Sequence, residues 1–352
     1  MQYQKFSEIN LYDEFFDSLK DDYTDFPTWF DKKRTNGDSA YVMYNGNKLQ
    51  AFLYMKDESK ESFDNEENVI KDNIRPNRLK VGTFKIDAHG TKCGERFIKK
   101  IMDVGIANKH EDIYVTIFPK HAVLINLVSM YGFNHVGNKN NGEGVYVKSL
   151  TCRENDKDLN YNYPLMSTKE KKKYILSIYP MYHTILFPDS ILKNEEGYKY
   201  DLVKDVSETN TIHKIYICFM KDVRMLKKDD IVCIYRTNDN LGPAYYRSVV
   251  TSACVVEEVK SKSDFVCIDQ YLEYTKNSIF SKADRIGYYK RQDVFVVKMT
   301  YNIALTKRLT RGYMINELGV PASSYWGFME ITDNQFEGIL KKGEIYENII
   351  VD

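Results

Sequence analysis

Several features are scarce in this sequence, and each absence narrows what the protein can be. The 352 residues include only 8 Pro and 6 Cys, which excludes a proline-rich polymer and a disulfide-dense scaffold. No C-x-x-C pair occurs, so we expect free structural thiols and no metal site. Lys plus Arg and Asp plus Glu each number 50. Nucleic acid binding would therefore depend on a local patch and not on net charge.

Long apolar runs and a signal pattern are also missing. The first ten residues have no basic-then-apolar order, and no stretch approaches the roughly 18 uncharged apolar residues that a membrane span requires. We therefore expect a soluble, cytoplasmic protein without membrane contact. Hydrophobic residues make up 43% of the chain, enough for a substantial core, and the length predicts two domains.

The first 150 residues alternate between helical and extended patterns, which is typical of a sheet with helices on its faces. Apolar residues at helical spacing predict helices near 9–19 and 26–30. An Asn-Gly turn at 45–46 joins two predicted strands into a hairpin, at 40–44 and 49–55. The pattern continues with a strand at 79–86, a helix at 95–108, a strand at 113–118, a helix at 121–131, and strands near 133–136 and 145–150.

A polar, Asn- and Asp-rich stretch at 153–172 predicts an interdomain linker. The domains are then expected at 1–152 and 173–352. The second half has short β-rich runs at 214–220, 230–235, 248–259 and 293–299, with helical segments at 186–193 and 335–341. This pattern predicts an α+β domain built around a compact β-barrel.

The turn that follows the strand at 79–86 is the most informative segment. A glycine-bearing turn that enters a helix directs main-chain N–H groups and the positive end of the helix dipole at one point. Such a point can hold a diphosphate. Glycines also serve simple chain reversal, so the turn alone leaves both interpretations open.

The element order and two motifs resemble the Gcn5-related N-acetyltransferase (GNAT) superfamily over about 1–150. The motifs are His89-Gly90-Thr91-Lys92-Cys93-Gly94 and Leu127-Val128-Ser129-Met130-Tyr131-Gly132-Phe133. The resemblance implies an α/β mixed sheet with flanking helices and acetyl-CoA as cofactor, with the pantetheine arm paired to the strand edge and the pyrophosphate on the turn amides. The implied cofactor-binding residues are Phe84, Lys85, Ile86, His89, Gly90, Thr91, Lys92, Cys93, Gly94 and Glu95.

Acetyl transfer to an amine requires a base, donors for the developing oxyanion and a proton source for the leaving thiolate. Val128 stands where the family often has the tyrosine that supplies this proton. Ser129 and Tyr131 on the same helix are the alternatives, although Tyr131 also fits a core position. His121 stands where the family often has an Asn that contacts the cofactor arm, and an imidazole can relay protons. We take His121, Ser129 and Tyr131 as candidate catalytic residues.

Strand-turn-strand units in the second half are similar to the PUA-like superfamily, which includes ASCH and EVE domains. The similarity involves the D-D-I-V-C-I-Y-R strand at 229–236, a following strand that ends in Val-Glu, and a late helix. It implies RNA binding, because aromatic faces stack on bases and Arg contacts phosphate. The candidate contacts are Tyr182, His183, Arg236, Arg247, Arg308 and Arg311, with Tyr246, Lys307 and Trp326 as further candidates.

Three hypotheses of function follow from these patterns. The first is an acetyl-CoA-dependent N-acetyltransferase that modifies an amine of RNA, such as tRNA or aminoacyl-tRNA, or an RNA-associated substrate. The second is a non-catalytic protein that binds nucleic acid or modified bases and whose CoA domain has degenerated. Its basis is that Lys92 stands where the family's phosphate loop has its first glycine, and Val128 where the family often has a tyrosine. The third is a small-amine or protein-lysine acetyltransferase. The acceptor and the oligomeric state stay open.

Overall fold

The computed structural model describes residues 1–87, 92–154, 157–190, 211–345 and 349–352. The chain forms two compact units, Met1–Leu150 and Thr151–Asp352. No helix in the described ranges combines the length and the apolar run that crossing a bilayer requires.

The first unit is built on a seven-stranded sheet. Its strands are β1 (Gln2–Lys5), β2 (Ser39–Asn45), β3 (Lys48–Asp57), β4 (Arg78–Ile86), β5 (Asp112–Ile117), β6 (Asn134–Asn138) and β7 (Gly144–Ser149). Their order is β1-β2-β3-β4-β5-β7-β6. β4 and β5 run parallel, whereas the other neighbours are antiparallel. The predicted mixed sheet of the first half is therefore present.

Helices follow the strands much as the periodicity predicts. They are α1 (Asp17–Asp22), α2 (Phe26–Thr35), α3 (Asn68–Lys71), α4 (Cys93–Ala107) and α5 (Ala122–Met130). The continuous helix predicted near 9–19 is wrong. A 3-10 turn, Glu14–Phe16, precedes α1, because the Asp13 side chain accepts a hydrogen bond from the Phe15 amide and starts a new turn there.

The second unit contains a six-stranded sheet. Its strands are β8 (Lys173–Ile178), β9 (His213–Cys218), β10 (Ile231–Arg236), β11 (Val249–Ser261), β12 (Phe295–Thr310) and β13 (Phe328–Ile331), in the order β13-β8-β10-β11-β12-β9. β8 and β10 are parallel. The helices are α6 (Leu159–Asn162), α7 (Pro180–Leu186), α8 (Ala244–Arg247), α9 (Ile268–Tyr274), α10 (Lys282–Tyr289), α11 (Arg311–Asn316) and α12 (Asp333–Lys342).

The predicted barrel is not closed by the described strands. β13 and β9 are the edges of the sheet, and no strand pairing in the described ranges joins them. The Tyr216 hydroxyl on β9 nevertheless donates to the Ser177 carbonyl oxygen on β8 at 3.0 Å. Three strands separate β8 from β9 in the sheet, so this contact shows that the sheet curls. A side chain spans the gap that a backbone ladder would close in a barrel. Short strand patterns alone do not distinguish a curled sheet from a closed one.

The stretch expected to be a linker contributes to the core of the second unit. Tyr163, Leu165 and Met166 are 0%, 2% and 1% exposed, and the Met166 amide donates to the Ile349 carbonyl oxygen at 2.8 Å. The stretch was predicted to be a linker because polar residues dominate its composition, and a composition does not show that a few apolar residues within it are buried.

The helix predicted at 186–193 begins and ends earlier. α7 starts at Pro180, since proline suits the first turn of a helix. Pro188 follows the last helical residue by two positions and opens a 3-10 turn, Pro188–Ser190. Proline disfavours helical geometry in the residue before it, which explains the early end of the helix. Residues 191–193 lie outside the described ranges.

Candidate functional site

The parallel strands β4 and β5 pair only over the first four residues of each. The ladder runs from Arg78 opposite Asp112 to Val81 opposite Val115. Beyond it, β4 stays paired with β3 as far as Ile86, but no described strand pairs with its other edge. Parallel strands that diverge open a cleft at their carboxyl ends, where ligands of α/β folds bind. The open edge offers main-chain groups with which an amide-bearing chain can pair.

Side chains on this part of β4 are already engaged, so the main chain is what the cleft offers. Phe84 is 8% exposed and its ring lies 5.9 Å from that of Phe97. The Lys85 ammonium donates to the Phe15 carbonyl oxygen and to Ser18 Oγ. A groove of about 360 Å³ adjoins the end of β4, and its lining is Glu14, Phe15, Lys48, Leu49, Gln50 and Asp87.

The helix α4 begins just after the end of β4. The side chain of its N-cap residue, Lys92, does not cap a main-chain amide of the first turn, and the positive end of the helix dipole lies there. Lys92 Nζ is 3.1 Å from a carboxylate oxygen of Glu95, so the Glu95 charge is compensated. The predicted contacts of His89, Gly90 and Thr91 fall in 88–91, outside the described residues.

Two residues at the start of α4 have structural explanations. A Cβ on Gly94 would lie 2.8 Å from Leu127 Cδ2, so this glycine allows α4 to approach α5 closely. Cys93 is 2% exposed, and burial raises its pKa to about 11. Its thiol therefore stays protonated at neutral pH and is no nucleophile.

His121 is held by a carboxylate from a distant part of the chain. Its Nε2 lies 2.7 Å from Asp22 Oδ2 at the end of α1, and Lys120 also donates to Asp22. Burial opposes ionisation of Asp22, but these two hydrogen bonds prevail and lower its pKa. An ionised Asp22 places the proton on Nε2 and leaves the lone pair on Nδ1, which is how a carboxylate orients a basic imidazole. The His121 side chain is 41% exposed, so substrate can reach it.

A second polar pair lies at the same end of β5. The Tyr23 hydroxyl donates to Glu143 Oε1 at 2.6 Å, and its ring lies 5.3 Å from that of Phe118, which follows β5. Burial, and then the contact with Glu143, raises the pKa of Tyr23, so the phenol stays a proton-bearing donor. Sequence reasoning missed Asp22, Tyr23 and Glu143, because nothing in their local patterns indicates contact with residues about a hundred positions away.

The other two catalytic candidates are not brought to His121. Tyr131 is 0% exposed, which places it in the core and out of reach of a substrate. Ser129 is exposed but lies eight residues further along, so at about 1.5 Å per helical residue it is roughly 12 Å from His121. Of the three candidates, His121 alone has a geometry suited to proton transfer.

In the second unit, two predicted RNA contacts are buried. His183 is 0% exposed, its Nε2 lies 2.8 Å from Thr251 Oγ1, and its Nδ1 has no partner among the described residues. Arg236 is 2% exposed and lies 3.8 Å from Asp239. Neither side chain reaches a surface on which RNA could lie. The prediction was wrong because residue type shows what can bind phosphate but not whether the side chain is covered.

The remaining candidates for RNA contact differ in whether their side chains are already bound within the protein. Arg247 donates two hydrogen bonds of 2.5 Å to the carboxylate of Asp239. The Tyr182 ring packs against Phe280. Arg308 donates to the Asp189 carbonyl oxygen at 3.2 Å. The Arg311 guanidinium lies 4.8 Å from the centre of the Trp326 ring, and Arg311 Nε has no acceptor in the described part of the chain.

The stability of the second unit is expected to fall as the pH drops from 7.5 to 5.0. Burial, and then the charges of Arg236 and Arg308, lower the pKa of His183 to about 3, whereas an imidazole in the unfolded chain titrates near 6.5. Between these values the unfolded chain binds a proton that the folded chain excludes. The contribution of His183 to the free energy of unfolding is therefore fully present above about pH 6.5, and the free energy of unfolding decreases by about 2 kcal/mol by pH 5.

The two tryptophans allow this measurement in the intact protein. Trp29 lies in the first unit and Trp326 in the second, and the chain has no others. In a Trp29→Phe background, urea unfolding followed by Trp326 fluorescence reports on the second unit. His183→Gln should remove most of the pH dependence, whereas His213→Gln should retain it. An undiminished fall in the His183→Gln protein would contradict the prediction.

The sequence matches no protein-family model and no curated protein. Among solved structures, it is similar to the ASCH protein of Zymomonas mobilis at a TM-score of 0.32 and 7% identity, over 48% of this chain and 94% of that one. It is also similar to the N-acetyltransferase PseH of Campylobacter jejuni at a TM-score of 0.28 and 10% identity, over 42% and 96%. The third is FeeM, an N-acyl amino acid synthase from uncultured soil microbes, at a TM-score of 0.26 and 13% identity, over 32% and 66%. At these values the matches do not assign the chain to either family.

Proposed function

We propose that the first unit is an acetyl-CoA-dependent N-acetyltransferase, and that the second unit binds the RNA, or RNA-associated substrate, that carries the acceptor amine. The divergence of β4 and β5 beyond Val81 and Val115 carries the proposal. It leaves a strand edge that no described strand pairs with, beside the start of a 15-residue helix. An extended amide chain and an anionic group are the ligands that suit such a pair of features.

The residues around the cleft fit the parts of acetyl-CoA. The open edge between Gly82 and Ile86 would pair with the pantetheine amides, and the first turn of α4 would meet the pyrophosphate, with Lys92 as a nearby cation. The engaged side chains of Phe84 and Lys85 shape this edge without blocking its main chain. When bound, acetyl-CoA supplies the activated acetyl group.

His121 is the residue that moves the proton. Its Nδ1 would take the proton that the acceptor amine loses on acetyl transfer, and would deliver that proton to the thiolate that leaves. Asp22 keeps Nε2 protonated and stabilises the imidazolium between the two events. One group thus serves as base and then as acid, which accounts for the absence of a tyrosine at Val128.

Acetyl-CoA binding tests the cofactor assignment. Isothermal titration of the full-length protein should show micromolar affinity, reduced at least about tenfold by Gly94→Trp, because the indole would separate α4 from α5. Gly287→Trp is the matched control, since nothing lies within 4 Å of a Cβ at Gly287. Urea unfolding followed by tryptophan fluorescence in the Trp326→Phe background, where Trp29 and the introduced indole both lie in the first unit, verifies that the Gly94→Trp protein is folded. No heat of binding at high micromolar acetyl-CoA would overturn the assignment.

A non-catalytic CoA-binding protein is the second candidate. The observation in its favour concerns Val128, which stands where the resemblance implies a proton-donating tyrosine. Val128 is 1% exposed and part of the core. This alternative predicts acetyl-CoA binding without release of free thiol in the presence of total aminoacyl-tRNA. Thiol release that depends on an added amine would exclude it.

A further inference from the structure

The carboxylate of Asp22 is shared by two side chains that follow one another in the chain. Asp22 Oδ2 lies 2.7 Å from His121 Nε2, and Asp22 Oδ1 accepts from the Lys120 ammonium. The His121 amide donates to the Phe118 carbonyl oxygen at 3.0 Å. This hydrogen bond closes a turn that contains Lys120, so the lysine and the histidine are held side by side on one carboxylate.

The shared carboxylate is covered, whereas its two partners reach solvent. The Asp22 side chain is 7% exposed, against 41% for His121 and 59% for Lys120. Because the carboxylate is shielded from water, its charge acts on both partners more strongly than in a fully exposed pair. A substitution at Lys120 changes the charge beside Asp22 without opening a buried space.

Other charged groups on the elements around His121 pair among themselves. These pairs are Lys20 with Asp17 at 2.9 Å, Lys92 with Glu95 at 3.1 Å, and Lys139 with Glu143 at 3.5 Å. The Tyr23 hydroxyl donates to Glu143. Asp21 and Asp25 are exposed to solvent, which screens their charges. α5, which begins directly after His121, contains no charged residue. Among the described residues, Asp22 is thus the charged partner of His121, and Lys120 is the cation beside it.

We propose that Lys120 is a positioning residue that keeps His121 in its neutral, basic form by sharing the carboxylate of Asp22. The proposal rests on the proposed function, in which a neutral imidazole takes the amine proton. An ionised carboxylate on Nε2 by itself favours the imidazolium, which cannot act as a base. The Lys120 ammonium offsets part of the negative charge and repels a positive ring. Asp22 can then orient the imidazole without fixing a second proton on it.

NMR of the histidine rings in the full-length protein, between about pH 5 and 9 and without substrate, tests this role. The chain has six histidines, and the signal that is missing from the His121→Gln protein belongs to His121. Lys120→Met removes the charge and retains the length of the side chain, so the titration midpoint of His121 should rise by about 0.5–1 pH unit. Lys120→Arg retains the charge and should stay within about 0.2 unit of wild type.

Lys20→Met is the matched control for the loss of a cation. Lys20 lies on the same helix as Asp22 but pairs with Asp17. The variant should therefore leave the His121 midpoint within about 0.2 unit of wild type, because solvent screens a charge that does not touch Asp22. A rise as large as that of Lys120→Met would show an effect of net charge and would overturn the role of Lys120.

The pH dependence of acetyl transfer provides a second readout. In the Lys120→Met protein, thiol release should fall about three- to tenfold on the acidic limb of the pH–rate profile and stay unchanged on the plateau, because a higher pH is needed to obtain the neutral imidazole. A merely structural role of Lys120 would lower the rate equally at every pH.

The two readouts separate this role from the proposed function. A His121 midpoint that does not move in Lys120→Met, or a rate that falls equally at every pH, would overturn the role of Lys120. A midpoint that rises as expected, in a protein whose wild type transfers no acetyl group, would support the effect of Lys120 on His121 and overturn the proposed function alone.

Discussion

Replacement of His121 by Ala is expected to lower the rate of acetyl transfer by about 10²- to 10³-fold, with acetyl-CoA affinity changed less than about twofold. In the proposed mechanism His121 takes the amine proton and returns it to the sulfur, so its loss would remove general acid–base catalysis and leave the proposed cofactor cleft intact. Thiol release from acetyl-CoA in the presence of total aminoacyl-tRNA measures the rate, and isothermal titration measures the affinity.

In the proposed mechanism Asp22 acts through His121, so its replacement should change the kinetics in a distinct way. Asp22→Asn leaves the imidazole without its anionic partner, so the maximal rate should fall about tenfold or more while the KM for acetyl-CoA stays constant. Asp22→Glu should restore part of the rate. Asp21→Asn, at the exposed neighbouring carboxylate, is the matched control and should behave as wild type. Rates within threefold of wild type for His121→Ala would contradict the assigned role.

Removal of Glu58 is expected to destabilise the first unit by about 3–5 kcal/mol. Glu58, Arg78 and Tyr114 form a polar clamp in which every member is buried, at 1%, 0% and 0% exposure. Glu58 Oε2 accepts from Arg78 Nε at 3.2 Å and from the Tyr114 hydroxyl at 2.7 Å. Glu58→Ala would leave the Arg78 guanidinium buried without its carboxylate, which costs far more than the loss of a surface pair.

Urea unfolding at Trp29 in the Trp326→Phe background measures this effect. Glu61→Ala provides the matched control, since Glu61 pairs with Lys56 at 2.6 Å but is 45% exposed. It should cost less than about 1 kcal/mol. The double variant Glu58→Leu/Arg78→Met should recover much of the loss, because apolar replacements leave no charge buried. A Glu58→Ala effect as small as that of Glu61→Ala would show that the clamp contributes little.

The polar clamp also explains why β4 and β5 meet at one end and part at the other. Arg78 begins β4, Tyr114 lies on β5, and Glu58 directly follows β3. The carboxylate therefore ties three strands together where the parallel ladder is intact. Nothing equivalent is described at the carboxyl ends of β4 and β5, so the cleft opens there. The paired amino-terminal ends of β4 and β5 and the open cleft at their carboxyl ends thus belong to one arrangement.

Much of the cleft beside β4 was accessible to sequence reasoning, whereas the pairing of His121 with Asp22 was not. The strand predicted at 79–86 is β4, Arg78–Ile86, and the helix predicted at 95–108 is α4, Cys93–Ala107. The hairpin turn is also where Asn-Gly predicts it, with Gly46 at a φ of +58°. Asp22 lies 99 positions from His121, and no local pattern connects the two.

Local periodicity by itself indicated most strands and helices of the first sheet, because it records which face of each element is apolar, whereas the mixed character of that sheet was implied by the family resemblance. Only the tertiary structure decided which distant element covers that face. It buried His183 and Arg236, left the second sheet open and joined Asp22 to His121. The physical reason is that burial and contact depend on both partners, and a sequence window contains only one of them.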